Sequence, residues 1–181
     1  MADRIVGRRS VLDGLVLPAR NGIVSVIEAT SAARFIYRGD PGLIGDAFGI
    51  ALPTTPMQAR ASGARAALWL GPDEWLLLAA ASEATTVAAA VAGKPAALVD
   101  VGHRQVGLTV SGPRAAALLN AGCPLDLDEA EFPVGMCTRT ILAKAEIVLW
   151  RTASDAFRME IARSFAPYVV AFLAEALHGI D

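Results

Sequence analysis

The chain has 181 residues, with 16 lysines and arginines against 18 aspartates and glutamates, and a formal net charge of -2 at pH 7. This balance argues against a surface built for nucleic acid or for an anionic membrane, because both need a basic excess. The length suits one domain or two small packed halves and is enough to bury a core. Apolar residues make up 54% of the chain. Two explanations are open for this high fraction: apolar surface that is buried against another chain, or a high alanine content.

The cysteine content and the N-terminus bear on the cellular compartment. Cys123 and Cys137 are too few for a disulfide framework, and the N-terminus lacks the pattern of an export signal. The longest apolar stretches, such as residues 75–81, are far shorter than the ~20 residues of a membrane-spanning helix. The sequence therefore predicts a cytoplasmic protein with reduced thiols.

The first 21 residues, which include Arg4, Arg8 and Arg9, are predicted to form an arm whose order depends on what it packs against. Beyond it, runs of β-branched and aromatic residues alternate with glycine and proline turns and with an alanine-rich stretch. The predicted strands are residues 23–30, 33–38, 65–70, 74–80 and 96–101, and the helices end near Gly49 and Gly93. Ser82 is predicted to be the N-cap of the second helix.

The same order of elements begins again at Gln105. The predicted strands are residues 105–111, 136–143, 146–152 and 156–162, and the helices are residues 113–121 and 165–177. Ser164 is predicted to cap the last helix, which is apolar nearly all round, with Glu175 as its one charged residue. Such a helix is usually buried on two sides, inside its own domain or under a neighbouring chain.

Two segments of the chain repeat one another. Leu68, Trp69, Trp75 and Ser82 correspond to Leu149, Trp150, Phe157 and Ser164, at a separation of 81 to 82 residues. Gly39 and Gly112, which open the helical stretches, are 73 residues apart. Unless two hairpins are alike by chance, the chain is an α+β protein that duplicates a ferredoxin-like β-α-β-β-α unit. The predicted pseudo-repeats are about 22–101 and 102–178, within one domain of residues 22–178.

The residues do not form a recognisable active site or metal centre. Asp100, His103 and Ser111 are the candidates for a hydrolytic triad. Residues three apart in a strand point to opposite faces, so Asp100 and His103 are poor partners unless Gly102 bends the chain. The two histidines and two cysteines show no metal-ligand spacing. We therefore predict no catalytic, cofactor-binding or metal-binding residue on this chain.

His103 and Arg104, between two predicted strands, are the most suggestive polar pair. The imidazole suits a pH-sensitive or hydrogen-bonding role and the guanidinium suits a carboxylate, but an ordinary hydrogen-bonded turn also explains them. Four arginines on or just beyond the C-terminal strands either line one sheet surface or are solvated at its edge. These are Arg139, Arg151, Arg158 and Arg163. The candidates for subunit-interface or structural polar residues are His103, Arg104, Arg139 and Arg163.

Several separate runs, in order along the chain, resemble the gamma subunit family of heterotetrameric sarcosine oxidase. The runs are VDVGHRQVG at 99–107, GCPLDL at 122–127, FPVG at 132–135, CTRT at 137–140, KAE at 144–146 and RSF at 163–165. GPDEW at 71–75 is a weaker match. Gly102 departs from the pattern, since the family usually has serine there, and it removes a hydroxyl from the turn.

This resemblance implies a complex of four different subunits that oxidatively demethylates sarcosine to glycine, consuming oxygen and giving hydrogen peroxide. With tetrahydrofolate, the one-carbon unit goes to methylenetetrahydrofolate. It implies alpha, beta and delta subunits as partners, with FAD, FMN and NAD on the partner subunits and no cofactor on this chain. The fold is expected to be similar to the folate-binding domain of the glycine-cleavage aminomethyltransferase. We expect a structural, non-catalytic subunit that is poorly stable or self-associates when it is isolated.

Two other hypotheses remain. One is a free-standing folate-binding or aminomethyltransferase-like protein of one-carbon metabolism, which would need an acidic group for the pterin and an aromatic wall. The other is a regulatory or scaffold protein unrelated to amine oxidation, which requires the motif matches to be accidental. Titration with tetrahydrofolate distinguishes the first of these from a structural subunit.

Overall fold

Strands and helices follow one another in the predicted order and form two antiparallel sheets covered by helices. The computed structural model describes residues 10–30 and 32–180. Within these ranges the strands are β1 (Ala19–Arg20), β2 (Val24–Glu28), β3 (Ala32–Arg38), β4 (Ala59–Ser62), β5 (Arg65–Gly71), β6 (Glu74–Ala80), β7 (Ala97–Asp100), β8 (Gln105–Ser111), β9 (Cys137–Leu142), β10 (Ala145–Ala153) and β11 (Ala156–Ala162). The α-helices there are α1 (Gly42–Phe48), α2 (Ala84–Ala89), α3 (Ala115–Asn120) and α4 (Ala166–Leu177).

The strands form one sheet in the order β1-β2-β8-β11-β10-β9 and another in the order β4-β5-β6-β3-β7. Neighbouring strands pair antiparallel in both sheets. The predicted α+β class is confirmed, and each half contains the predicted β-α-β-β-α order with further strands added.

The predicted boundary at residues 101 and 102 places β7 in the first half. Counted instead from β2 and β7, which begin 73 residues apart at Val24 and Ala97, the two halves exchange their first strands. β3 begins at Ala32 and β8 at Gln105, 73 residues later, whereas β6 begins at Glu74 and β11 at Ala156, 82 residues later. These offsets match the predicted repeat. However, β2 precedes β3 in the chain and pairs with β8, while β7 precedes β8 and pairs with β3. Each sheet therefore contains a strand from the other half, which ties the halves into one unit.

The alternation of side chains along the strands builds three apolar layers. α3 and α4 cover the outer face of the first sheet, and α1 and α2 cover the outer face of the second. A third cluster, which includes Leu68, Leu76 and Val148, fills the space between the sheets. On β11, Phe157 belongs to the outer core. Glu160, three residues later and on the opposite face of the strand, faces the other sheet and contacts Arg34.

The predicted N-caps Ser82 and Ser164 are wrong. Each serine lies inside a 3-10 turn, Ala81–Glu83 or Arg163–Phe165, that leads from a strand into the helix. Neither α2 nor α4 has a side-chain cap at its first turn. The backbone N–H groups at the start of each helix instead donate to carbonyls of the 3-10 turn. Such turns are frequent at helix N-termini.

The region predicted as an arm lies partly outside the described residues. Arg4, Arg8 and Arg9 belong to the part that is not described. From residue 10 onward, the chain packs on the first sheet, where Leu12 is buried in the outer core. The two-residue strand β1 pairs with β2. β1 and β4 were not predicted from the sequence, because they are short and largely exposed and show no apolar alternation.

The last helix buries one face only in this chain. Ala166, Val169, Val170 and Leu173 are buried, whereas Tyr168, which the apolar pattern places on the buried stripe, is 39% exposed. The preceding Phe165 is 42% exposed. Two aromatic side chains at the start of α4 are therefore in contact with solvent in the isolated chain.

Cys137 lies in the inter-sheet core, fully buried, and its thiol Sγ is 3.6 Å from the carbonyl oxygen of Trp69. Burial raises the pKa of this thiol to about 12, because the low-dielectric interior disfavours the thiolate. Cys123 is also buried, and both thiols are free, as predicted.

The buried Cys137 thiol should make the free energy of unfolding depend on pH in the alkaline range. The folded state keeps the proton of Cys137 up to a pKa of about 12, whereas the unfolded chain releases it near an ordinary thiol pKa of ~8.5. Since the folded state binds more protons between these values, we expect the free energy of unfolding to fall as pH rises above ~8.5, by about 1.4 kcal/mol per pH unit from this group. Urea denaturation at about pH 8 to 10 measures the slope. Cys137→Ala should flatten it and Val148→Ala, a neighbour in the same core, should not; equal slopes in all three proteins would contradict the assignment.

Candidate functional site

A polar cavity of about 350 Å³ lies where the two halves exchange strands. Its wall combines Glu28 and Arg34 of the first half with Asp100 at the end of β7 and His103 in the turn that follows. Its polar lining also includes Ser10, Gln105 at the start of β8 and Arg163 just after β11. The cavity therefore brings together charged groups from segments that are distant in sequence.

A tight turn after β7 places both Asp100 and His103 on this cavity. Asp100 Oδ1 accepts a hydrogen bond of 2.7 Å from the Gly102 backbone N–H, which closes an Asx turn. The backbone N–H of Arg104 donates to the Val101 carbonyl at 2.9 Å. The bend at Gly102, which the sequence left open, is thus present. It is held by the Asp100 carboxylate and needs no hydroxyl at position 102.

Beside the cavity, three charged residues form a buried ion group that links the two sheets. Arg34 Nε on β3 donates to Glu160 Oε2 on β11 at 2.5 Å, and Arg158 Nε donates to Glu160 Oε1 at 2.7 Å. The Arg34 and Glu160 side chains are 7% and 1% exposed. Gly107 on β8 makes room for the pair, because a Cβ there would lie 2.9 Å from Glu160 Oε1 and 3.0 Å from Arg34 Nη2.

The four residues singled out from the sequence separate into two places. His103 and Arg163 both line the cavity, and the Arg163 backbone N–H donates to the Arg104 carbonyl at 2.8 Å. Arg104 contributes that carbonyl, and its side chain is exposed. Arg139 lies elsewhere, on β9, where it forms an ion pair with Glu74 of the other sheet.

Sequence reasoning missed Arg34 and Glu160, which are the most deeply buried members of this region. Each is a charged residue between two apolar neighbours within a strand, Ala33 and Phe35 in one case and Met159 and Ile161 in the other. That pattern is also typical of a half-exposed strand. Each of the two residues is buried because the opposite sheet packs over it: the sheet of β11 covers Arg34, and the sheet of β3 covers Glu160.

The chemistry available at the cavity is hydrogen bonding and charge pairing. Ser10 Oγ lies 2.7 Å from Glu28 Oε1, its hydrogen-bond acceptor. Across residues 10–30 and 32–180, no three histidine, cysteine or acidic side chains gather closely enough to hold a metal ion. In the same part of the chain, no helix is long and apolar enough to cross a membrane.

The fold has a counterpart among solved structures. The solved aminomethyltransferase T of the glycine cleavage system from Bartonella henselae superposes with a TM-score of 0.65 and 14% identity, covering 84% of this chain and 45% of that chain. The two-sheet α+β architecture is therefore that of the aminomethyltransferase fold.

The family follows from closer relatives. The model of the sarcosine oxidase gamma subunit family matches residues 39–178. The gamma subunit of sarcosine oxidase from Corynebacterium sp. (strain U-96) is 32% identical over 162 residues, covering 85% of this chain and 79% of that protein. That from Arthrobacter sp. is 32% identical over 164 residues, covering 86% and 81%. This chain belongs to the sarcosine oxidase gamma subunit family.

A solved complex agrees in structure as well. A chain of heterotetrameric sarcosine oxidase from Corynebacterium sp. U-96, in complex with pyrrole 2-carboxylate, superposes with a TM-score of 0.85 and 30% identity, covering 95% of both chains. The resemblance inferred from the motifs, and the similarity to the aminomethyltransferase fold, are both confirmed.

Proposed function

We propose that this chain is the gamma subunit of a heterotetrameric, flavin-dependent sarcosine oxidase and acts in it as a structural, non-catalytic subunit. The observation that carries the proposal is the superposition on a chain of heterotetrameric sarcosine oxidase over 95% of both chains. The proposed partners are alpha, beta and delta subunits, which hold FAD, FMN and NAD, in the cytoplasm. The complex converts sarcosine and oxygen to glycine and hydrogen peroxide, and with tetrahydrofolate it gives methylenetetrahydrofolate.

Charge pairing within the chain supports the structural role. Glu160 is shared between two arginines, Asp100 holds the turn at Gly102, and Arg139 pairs with Glu74. The Arg34–Glu160 and Arg139–Glu74 ion pairs join the two sheets, the Arg158–Glu160 pair lies within β11, and the Asp100 hydrogen bond closes the turn after β7. Groups committed to holding the fold together are poorly placed to act as an acid, base or nucleophile.

Exposed apolar side chains support assembly with other subunits. Ile27 on β2 and Val99 on β7 are 53% and 55% exposed, and Phe165 and Tyr168 add two exposed aromatic rings. Aromatic residues are enriched at protein interfaces, where they bury large area at low entropic cost. These four side chains are the proposed contacts with partner subunits, and they account for the poor stability or self-association expected of the isolated chain.

Co-expression tests the assignment. A tagged copy of the chain is expected to purify in a fixed ratio with larger subunits, and the eluate should show flavin absorbance and sarcosine oxidase activity. A chain that elutes alone and colourless would contradict the proposal. Saturable binding of tetrahydrofolate by the isolated chain in calorimetry would then favour a free-standing folate-binding protein.

The non-catalytic role has its own test in the assembled complex. In His103→Ala, any loss of activity is expected to accompany loss of assembly, measured by subunit ratio and flavin content per complex. His178→Ala, at the exposed end of α4, is the matched control. A fall in kcat of about 100-fold, the size typical of losing an acid–base group, with intact assembly and flavin content would show that His103 takes part in the reaction.

A further inference from the structure

A second cavity, of about 460 Å³, lies between the two sheets. Ala66 on β5 and Leu78 on β6 form one wall, and Trp150 on β10 and Arg158 on β11 form the opposite wall. Alanine is the commonest residue of the lining, which also includes Trp150. The charged residues that the structure places on this lining are both arginines, Arg65 and Arg158.

Two hydrogen-bond donors on this wall have no partner among the described residues. Trp150 and Arg158 lie directly opposite one another in the β10–β11 pairing, so their side chains leave the same face of the sheet. Trp150 Nε1 and Arg158 Nη2 are both buried and neither meets an acceptor. Buried donors are nearly always paired in folded proteins, so two on one cavity indicate an acceptor that comes from outside this chain.

The charge of the adjoining ion group indicates which acceptor. Glu160 supplies one negative charge to Arg34 and Arg158, whose side chains are 7% and 17% exposed. The two arginines and the one glutamate therefore carry a net charge of +1. Arg65 adds a second positive group to the lining, although its guanidinium is engaged by Glu83 and by the Phe48 carbonyl. A buried charge is costly unless it is paired, so the cavity favours an anion.

We infer that this cavity is a binding site for a carboxylate that carries a short apolar body. One carboxylate oxygen accepts from Arg158 Nη2 and the other from Trp150 Nε1. The negative charge of the carboxylate balances the net positive charge of Arg34, Arg158 and Glu160. The alanine, leucine and indole walls suit an apolar body and disfavour a strongly hydrated phosphate. The carboxylate belongs to a free acid or to an acidic side chain of another subunit, and the chemistry of recognition is the same. The inference does not depend on the subunit assignment.

Benzoate, with benzamide as its neutral counterpart, is the probe. In a ¹H–¹⁵N NMR titration of the full chain, benzoate is expected to shift the Trp150 indole N–H saturably, while the Trp75 indole, which donates to the Pro53 carbonyl at 2.7 Å, stays in place. Trp150→Phe assigns the signal. Benzamide and inorganic phosphate are expected to bind at least tenfold more weakly, because they lack the charge or the apolar body.

Variants separate the two donors. Arg158→Lys keeps a cation beside Glu160 but removes Nη2, and we expect about tenfold weaker benzoate binding in ligand-observed NMR. Trp150→Phe should weaken binding about fivefold, and Trp69→Phe, on the other sheet, should leave it unchanged. If a partner's acidic side chain fills the site, benzoate binds the isolated chain and not the assembled complex; if a free acid is the ligand, it binds both. No saturable shift in the isolated chain, or equal binding of benzamide, overturns the inference.

Discussion

Replacing Glu160 by glutamine is expected to lower the free energy of unfolding by about 3–5 kcal/mol, the cost of breaking a buried ion pair by removing one partner. The Glu160 carboxylate accepts from Arg34 at 2.5 Å and from Arg158 at 2.7 Å. Glutamine preserves the shape but offers one carbonyl oxygen and an amide N–H₂ that faces a guanidinium. Two arginines then remain between the sheets with no carboxylate between them. Urea denaturation followed by circular dichroism measures the change.

Glu146→Gln is the matched control, because Glu146 is exposed on the neighbouring strand β10. Its expected effect is within about 0.5 kcal/mol, as for surface substitutions in general. Combining Glu160→Gln with Arg34→Met should cost less than the sum of the two single changes, since each removes the same ion pair. Additive costs, or a loss below about 1 kcal/mol for Glu160→Gln, the range of exposed ion pairs, would show that the group of three does not hold the sheets together.

Replacing Arg151 by methionine is expected to cost about 3–5 kcal/mol, because it removes a buried charge that many acceptors share. Arg151 is 4% exposed. Its guanidinium donates to the carbonyls of Leu127 at 3.1 Å and Phe132 at 2.9 Å, in the long loop between α3 and β9. It also lies 5.0 Å from the centre of the Phe157 ring. Methionine fills similar space but leaves those carbonyls without a donor.

Hydrogen exchange localises this second effect. Backbone amides of residues 126–132 are expected to exchange faster in Arg151→Met, because the loop loses the group that anchors it. Arg139→Met, an exposed ion-pair arginine in the same sheet, should cost less than about 1 kcal/mol. Unchanged exchange in the loop, or equal costs for the two arginines, would contradict the anchoring role.

Local pattern was enough to predict most of the strands and helices. Strand β6 (Glu74–Ala80), β8 (Gln105–Ser111) and β11 (Ala156–Ala162) have the predicted bounds. Each has a turn signal at its ends and apolar residues on alternate positions or throughout. The serine caps were wrong because Ser82 and Ser164 match the local signal of an N-cap, while the strand before each one leads into a 3-10 turn. That choice depends on how strand and helix pack.

The candidate site was predicted only in part. Of the residues predicted as interface or structural polar groups, His103 and Arg163 line one cavity. Arg139 lies elsewhere, on β9, and pairs with Glu74. The sequence placed Asp100 and His103 on opposite faces unless Gly102 bends the chain, and the turn that bends it depends on a hydrogen bond from the Gly102 backbone N–H to the Asp100 carboxylate. Such a bond is compatible with the sequence but not dictated by it.

By itself, the sequence determined the α+β class, the internal repeat and the family, because alternation, turn residues and motif order are properties of neighbouring positions. The tertiary structure alone decided that β2 and β7 change places between the two halves, since strand pairing is a choice among partners far apart in the chain. That exchange brings Arg34 of the first half beside Glu160 of the second. Whether a charged residue in a strand is buried depends on the sheet that packs against it, and no local pattern records that sheet.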